Sequence, residues 1–437
     1  MSGTAMRSAT VLLAALLFVA LCPAGRAAEF YVATDGDDAA AGTISQPWRT
    51  LGHALRQLGP GDTLTLKPGT YKGAPVLNLH GLEDSPVVIR GADRDSVIID
   101  GTLRREGEYA GGRDGIKLEN SSWVVIENLT SIGAQRAGIF MVHSHSITVR
   151  NCLIADNGVW GVMVDHSPDV LVEGCDISGS GREHGIYFSN GGTDRAIARG
   201  NRIHGNSACG IHINGDPDYG AGGIISRFVV ENNEIFRNGR PNGGSAINMT
   251  FAQDGIVRNN LVYDNYAGGI VVYRDTPKAP NLYSKGIRIL HNTVWFPEGQ
   301  GRWTCAVQRE SHHQTVKNNI FVGGDFGTYC VMPDSIRGHF SDNNVIWTYD
   351  GQLKLGDTRV DISYTLDAWQ AMGHDVNSVF ADPMFVAPEE GDFRVRPGSP
   401  AIGLAEPVGV VHDDFEGTAR PATGATAGCF ERPAMPE

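Results

Sequence analysis

From Gly115 to Asn344 the chain returns to one short apolar–polar unit. It reads Gly115-Ile-Lys-Leu, Gly138-Ile-Phe-Met, Gly161-Val-Met-Val, Gly185-Ile-Tyr-Phe, Gly210-Ile-His-Ile, Ala246-Ile-Asn-Met and Gly269-Ile-Val-Val, with starts 23, 23, 24, 25, 36 and 23 residues apart. A second unit follows several of these tetrads: Val149-Arg-Asn-Cys-Leu, Val172-Glu-Gly-Cys-Asp, Val257-Arg-Asn-Asn-Leu and Val316-Lys-Asn-Asn-Ile. Alternation at this scale predicts strands with one buried face, and the block has no helical spacing. A fixed period of this size belongs to a stacked solenoid rather than to separate domains. The expected fold is therefore all-β, a right-handed parallel β-helix with coils about 4.8 Å apart. Asn151, Asn201, Asn233, Asn260, Asn292, Asn319 and Asn344 recur at turns. Asparagine tolerates left-handed backbone, and its amide can bond the next coil.

Stacking converts the repeat into a surface. Third positions of the tetrads point outward and give the row Lys117, Phe140, Met163, Tyr187, His212, Asn248, Val271. Two positions on runs Glu119, Val142, Asp165, Ser189, Asn214, Thr250, Tyr273. Tyr187, His212 and Asn248 are thus expected on consecutive coils, with His184, Asn214 and Asp216 beside them.

Outside the repeat, residues 1–27 read as a secretory signal: Arg7, an apolar run from Val11 to Leu21, then Gly25-Arg-Ala27. That run is too short to span a bilayer comfortably, and Leu21 before Cys22 is too large for a typical lipidation site. The expectation is a secreted or periplasmic protein without a membrane anchor. Residues 28–72 hold a strand and a short amphipathic helix with Leu51, Ala54, Leu55 and Leu58 on one face, a cap for the exposed solenoid end. The β-helix is expected over 73–350 and a C-terminal cap over 351–437, with a helix near Leu366–Met372. Excursions near Asp216–Gly223 and Asp275–Ser284 interrupt the coils, and loops on a rigid scaffold are where binding chemistry usually sits.

Charge narrows the partners. The chain carries −13, or −15 without residues 1–27, which hold Arg7 and Arg26 and no acids. No basic footprint for nucleic acid is present. Of the six cysteines beyond Cys22, Cys152 and Cys175 lie one period apart, and Cys305 and Cys330 lie 25 residues apart. Each pair is expected either as a disulfide or as an inward stack of thiols. No cysteine or histidine spacing indicates zinc.

Phe30-Tyr-Val-Ala-Thr-Asp-Gly-Asp-Asp, Pro47-Trp-Arg-Thr-Leu, Pro60-Gly-Asp-Thr-Leu and Pro68-Gly-Thr-Tyr resemble the opening of secreted right-handed β-helix proteins of the pectate-lyase-like superfamily. Ala381-Asp-Pro-Met-Phe, Gly398-Ser-Pro-Ala-Ile and Gly428-Cys-Phe-Glu resemble the tail of many bacterial members. The resemblance implies that fold and a carbohydrate partner. It spans lyases, uronate epimerases, hydrolases and non-catalytic proteins, so it does not set the reaction. The Lys–Arg pair with its Asn-Gly-x-Glu context, found in alginate and chondroitin-type lyases of this fold, is not evident, and Asp165-His-Ser-Pro-Asp169 echoes the Asp-Pro-His-Asp of mannuronan epimerases only loosely.

β-Elimination on a uronate glycan needs a group that neutralises the carboxylate, a base for the C5 proton and an acid for the departing oxygen. His212 as base, with His184 as its substitute, and Tyr187 as acid are the catalytic candidates. Asn214, Asp216, Asn248, Tyr273, Arg274 and Arg309 are the substrate-binding candidates, Arg by a bidentate bond. Asp216 and Asp218 can form a calcium site or a plain acidic turn. Asp165, Asp169 and Asp216 are a weaker set of carboxylates for hydrolysis. The expected protein is a monomeric polysaccharide lyase acting on an acidic polysaccharide, with a hydrolase, a uronate C5-epimerase or a non-catalytic carbohydrate-binding β-helix as alternatives.

Overall fold

The computed structural model describes residues 27–73, 76–103, 113–240, 242–275, 279, 281–351 and 355–432. Most of the proposed signal lies outside them. Three sheets wind around one interior. The first has 12 strands from Glu29–Val32 to Phe340–Asp342, the second 12 from Val76–Leu77 to Ile362–Tyr364, and the third 11 from Gly69–Lys72 to Val345–Trp347. Pairing is parallel from coil to coil, whereas the last pair of the second sheet, Leu355–Asp357 with Ile362–Tyr364, and the tail pair Phe385–Ala387 with Asp392–Val395 are antiparallel. The chain folds as a right-handed parallel β-helix.

Register follows the apolar pattern because a one-residue slip would turn a buried row to solvent. Ile186, Ile211, Ile247 and Ile270 stack in the second sheet and are fully buried. Val149, Val172, Ala198, Val230 and Val257 do the same in the first. The solenoid begins well before residue 73, since Glu29–Val32 already pairs with Thr63–Leu66 as the opening rung of the first sheet.

At one corner, buried asparagines form an internal ladder. Asn201, Asn233, Asn260, Asn292 and Asn319 each donate through Nδ2 to Oδ1 of the next, ending on Asn344, at 2.9–3.0 Å. Left-handed backbone and coil-to-coil bonding fall to different residues. The residue before each ladder position takes the positive φ, as at Asn232, Asn259 and Asn318. Asn151 is one of these outer residues, with φ 51°, and not a ladder member.

Cys152 and Cys175 lie in the interior where the ladder is continued, and Cys175 N–H donates to Asn201 Oδ1 at 3.0 Å. Both are free thiols. The pairing of Cys305 with Cys330 does not survive the register: Cys305 faces Tyr329 and Ala306 faces Cys330, so the two thiols point to opposite sides of the sheet. Their 25-residue spacing exceeds the local 24-residue repeat by one, and one residue is a change of face.

The N-terminal helix is confined to Leu51–Ala54, with Thr50 Oγ1 accepting from His53 N–H. Gly59-Pro-Gly follows closely and turns the chain into its next strand, so the apolar stretch outruns the helix. Leu51, Ala54 and Leu55 still pack into the core, with Leu58 against it. A second helix spans Leu366–Ala371. The tail lays Phe385, Phe393, Val395 and Ala401 on Leu261, Trp295, Ile320 and Val345 of the third sheet. Among the described residues no helix is long and apolar enough to cross a membrane.

Candidate functional site

The two outward rows of the second sheet have the expected register. Tyr187 pairs with His212 and His212 with Asn248; Ser189 pairs with Asn214 and Asn214 with Thr250. Exposure along the row is uneven. Phe140 and Met163 are buried against Ala137, Val142 and the half-buried Trp160 and Tyr187. Toward the C-terminus, Val271, Trp303, Ala306 and Cys330 form a second apolar shelf with Tyr273. Tyr187, His212 and Asn248 make a polar interval between the shelves.

Three aromatic rings fill that interval. Tyr187 and His212 stack at 5.1 Å and 13°, while His184 stands edge-on to both, at 4.9 and 4.6 Å. Their hydrogen bonds form a chain with one direction. Cys209 backbone N–H donates to His184 Nδ1 at 3.2 Å. A ring nitrogen that accepts carries no proton, so the neutral His184 bears its proton on Nε2. His184 Nε2 lies 3.0 Å from His212 Nδ1 and donates to it. The His212 proton is thereby placed on Nε2, which is buried without a partner.

Burial keeps this group uncharged. It lowers His184 well below the usual imidazole value, with the neighbouring His212 acting the same way, and brings His212 down to about 4. Tyr187 is pushed up to about 12 by burial, against a bond from Asn214 that pulls it down. Asn214 Nδ2 donates to the Tyr187 hydroxyl at 3.1 Å, and Asn248 Nδ2 to the Tyr273 hydroxyl at 3.2 Å. Burial raises Tyr273 as well. Both phenols stay protonated at neutral pH, each with its oxygen accepting from an asparagine and its own O–H left to donate.

These positions correct part of the expected chemistry. His212 is not a ready base, because Nδ1 accepts from His184 and Nε2 bears the proton. His184 is not one either: Nδ1 is taken by the Cys209 amide. Arg274 is ion-paired with Glu310 and lies over Tyr283, so its charge is already answered. Arg309 stands over the Tyr273 ring at 5.8 Å with a 61% exposed side chain, 3.9 Å from Asp275. Asp216 Oδ1 accepts from Asp218 N–H at 3.0 Å and caps a short turn at Pro217–Tyr219. Asp169 is held bidentately by Arg195, which answers its charge. Lys117 and Glu119 bond each other at 2.8 Å, farther along the row.

As to metals, the described residues hold one group of three suitable ligands, His184, Cys209 and His212, with ligand atoms within 4.8 Å of one another; Asp216 and Asp218 join no such group. The amide on His184 Nδ1 argues against metal at that ring. Ligation through Nε2 would strip its proton and leave an imidazolate, unless the Cys209 bond were given up.

Several neighbours were not singled out in the sequence. Cys209 stands just before Gly210 as His184 stands just before Gly185, so the two share a row one coil apart. The same row shows the same device elsewhere: Asp114 Oδ1 accepts from the Ala137 amide at 3.0 Å. Trp160 Nε1 donates to Glu183 at 2.8 Å, and Glu183 lies 3.7 Å from His184 Nε2. Farther along, His166 Nδ1 lies 2.6 Å from Asp165, and its Nε2 lies 2.8 Å from the Tyr219 carbonyl of the first excursion. Position relative to each tetrad was the available signal, but chemically unlike residues occupy that row.

Known proteins share this architecture. Residues 30–177 match the family described as Pel9A-like, right handed beta helix region, a match that ends before His184. The uncharacterized protein YwoF of Bacillus subtilis is 25% identical over 86% of this chain and 92% of its own. Pectate lyase PEL9 of Emericella nidulans is 43% identical over 89 residues, 20% of this chain and 21% of that one. The crystal structure of pectate lyase Pel9A superposes with a TM-score of 0.63 at 15% identity, over 93% of this chain and 96% of that one.

Proposed function

We propose that the protein is an exported enzyme that cleaves an acidic, uronate-containing polysaccharide by β-elimination on the outer ledge of the second sheet. The likeness to two pectate lyases supports a polysaccharide substrate. The secretory pattern of residues 1–27 supports export. One observation carries the chemistry: Tyr187, stacked on His212, is a protonated phenol whose oxygen is held by Asn214.

Because both imidazoles are committed, Tyr187 takes both proton steps in this reading. As phenolate it removes the C5 proton; the C4–O bond breaks as the C4–C5 double bond forms. The regained phenol proton passes to the departing oxygen on the same face. Arg309, 3.9 Å from an equally exposed Asp275, is the cation that would turn to the substrate carboxylate. A base raised to about 12 is scarce at neutral pH, so the rate should climb with pH through the neutral and mildly alkaline range. A maximum on the acid side would remove Tyr187 as base.

The deciding assay incubates the protein with a panel of uronate and neutral glycans and follows both ultraviolet absorbance of unsaturated uronate and new reducing ends. Absorbance that grows with reducing ends supports the lyase. Reducing ends without absorbance indicate a hydrolase, and neither indicates a binding protein.

A further inference from the structure

We infer that His212 is a fixed hydrogen-bond donor whose Nε2–H serves a subsite for a carboxylate. The carboxylate assignment rests on the uronate substrate proposed above; the direction of the proton chain does not. That direction starts at a backbone amide, which donates and cannot accept. With Cys209 N–H on His184 Nδ1, the chain has one sense, from amide to His184 to His212. Two facing imidazoles without such an anchor would be free to exchange tautomers.

The far end is the unmet group. A buried donor without a partner costs about 1–3 kcal/mol, a cost the fold bears at His212 Nε2. Such groups in native structures call for an explanation, and an acceptor brought by a ligand is one. The surroundings favour an anion. Tyr187 and Tyr273 offer O–H groups, and Arg309 adds a positive charge beside Tyr273. Of the acids nearby, Glu183, 3.7 Å from His184 Nε2, is engaged by Trp160 Nε1, and the exposed Asp275 lies 3.9 Å from Arg309. A carboxylate accepts from such donors more strongly than a sugar hydroxyl does. His184 is then a positioning residue, acting only through the tautomer it imposes.

The test is nitrogen NMR on the full chain labelled with 15N-histidine, with shifts assigned through His184→Phe and His212→Phe. The expected spectrum places the His184 and His212 protons on Nε2 and shows both tautomers of His212 in His184→Phe. Adding galacturonate or glucuronate should move the His212 Nε2 signal, and galactose or glucose should leave it in place. A His212 proton on Nδ1, an equal response to neutral sugars, or no response to any of the four overturns the proposal.

Kinetics supply a second arm. Glutamine sets its amide nitrogen near the position of histidine Nε2, so His212→Gln should stay within about tenfold of the parent kcat/KM while His212→Phe loses about 10²–10³-fold. Equal loss in both variants, with unchanged melting, would show that His212 is a base. If no glycan is turned over, the lyase reading fails while the spectra still decide the tautomer and the subsite.

Discussion

Two outward rows of the same solenoid treat polar groups in opposite ways. On the first sheet, Arg90, Glu127, Arg150, Glu173, Arg199, Glu231 and Arg258 alternate in sign from coil to coil. Every charge there has a partner: Glu231, with a side chain 4% exposed, lies 2.5 Å from both Arg199 and Arg258. On the second sheet the corresponding row carries no net charge at its centre, its imidazoles are pushed to their neutral forms, and His212 Nε2 is buried without a partner. The first row completes its interactions within the protein and has nothing left to offer a ligand. The second withholds some, and that is what physically sets it apart as a site.

The contrast can be broken by substitution. Tyr187→Phe should lower turnover of the responsive glycan by about 10²–10⁴-fold with melting unchanged; near-normal rates would move the chemistry off this ledge. Acidification should act next. His212, at about 4 in the fold, and His339, at about 3, are both neutral by burial and bind protons more readily once unfolded. Their stability is complete above the unfolded imidazole value of about 6.5 and is lost as pH falls toward the folded values, His212 alone giving on the order of 3 kcal/mol. Thermal melts from pH 7 to pH 4 should show the decline, and His212→Phe should flatten it. Glu231→Gln should cost about 1–3 kcal/mol in a urea titration while leaving activity intact. A large loss of activity there would erase the distinction between the rows. The smallest effect is a null one: non-reducing and reducing electrophoresis should give the same band, because Cys305 and Cys330 face opposite sides. A shift abolished by Cys305→Ser would overturn the register on which both rows are drawn.

The rows themselves were legible in the sequence, because a period of two within each strand and one near 23 between strands leave little freedom for the side that faces out. Tyr187, His212 and Asn248 therefore fell on adjacent rungs as read. Roles were not legible. Whether His212 offers a lone pair or a proton depends on the Cys209 amide, and a backbone group has no letter of its own. Arg274 and Arg309 look alike in the sequence, yet one is largely buried against Glu310 and the other is exposed over Tyr273 with only a loose 3.9 Å approach to Asp275. The alternating charges of the first sheet were present in the repeat but became a continuous ladder only once seven coils had been laid side by side.

The 36-residue interval between Gly210 and Ala246 has a consequence of its own. The chain leaves the wall near Asp216, makes two short turns, and returns so that Ile211 still meets Ile247. Tyr219 from that detour reaches back to His166, 53 positions earlier. Lengthening such a detour would recast what overhangs the ledge without disturbing the rungs beneath. The architecture thus separates the part that can vary from the part that must not, and new specificities can be grafted onto it one bend at a time.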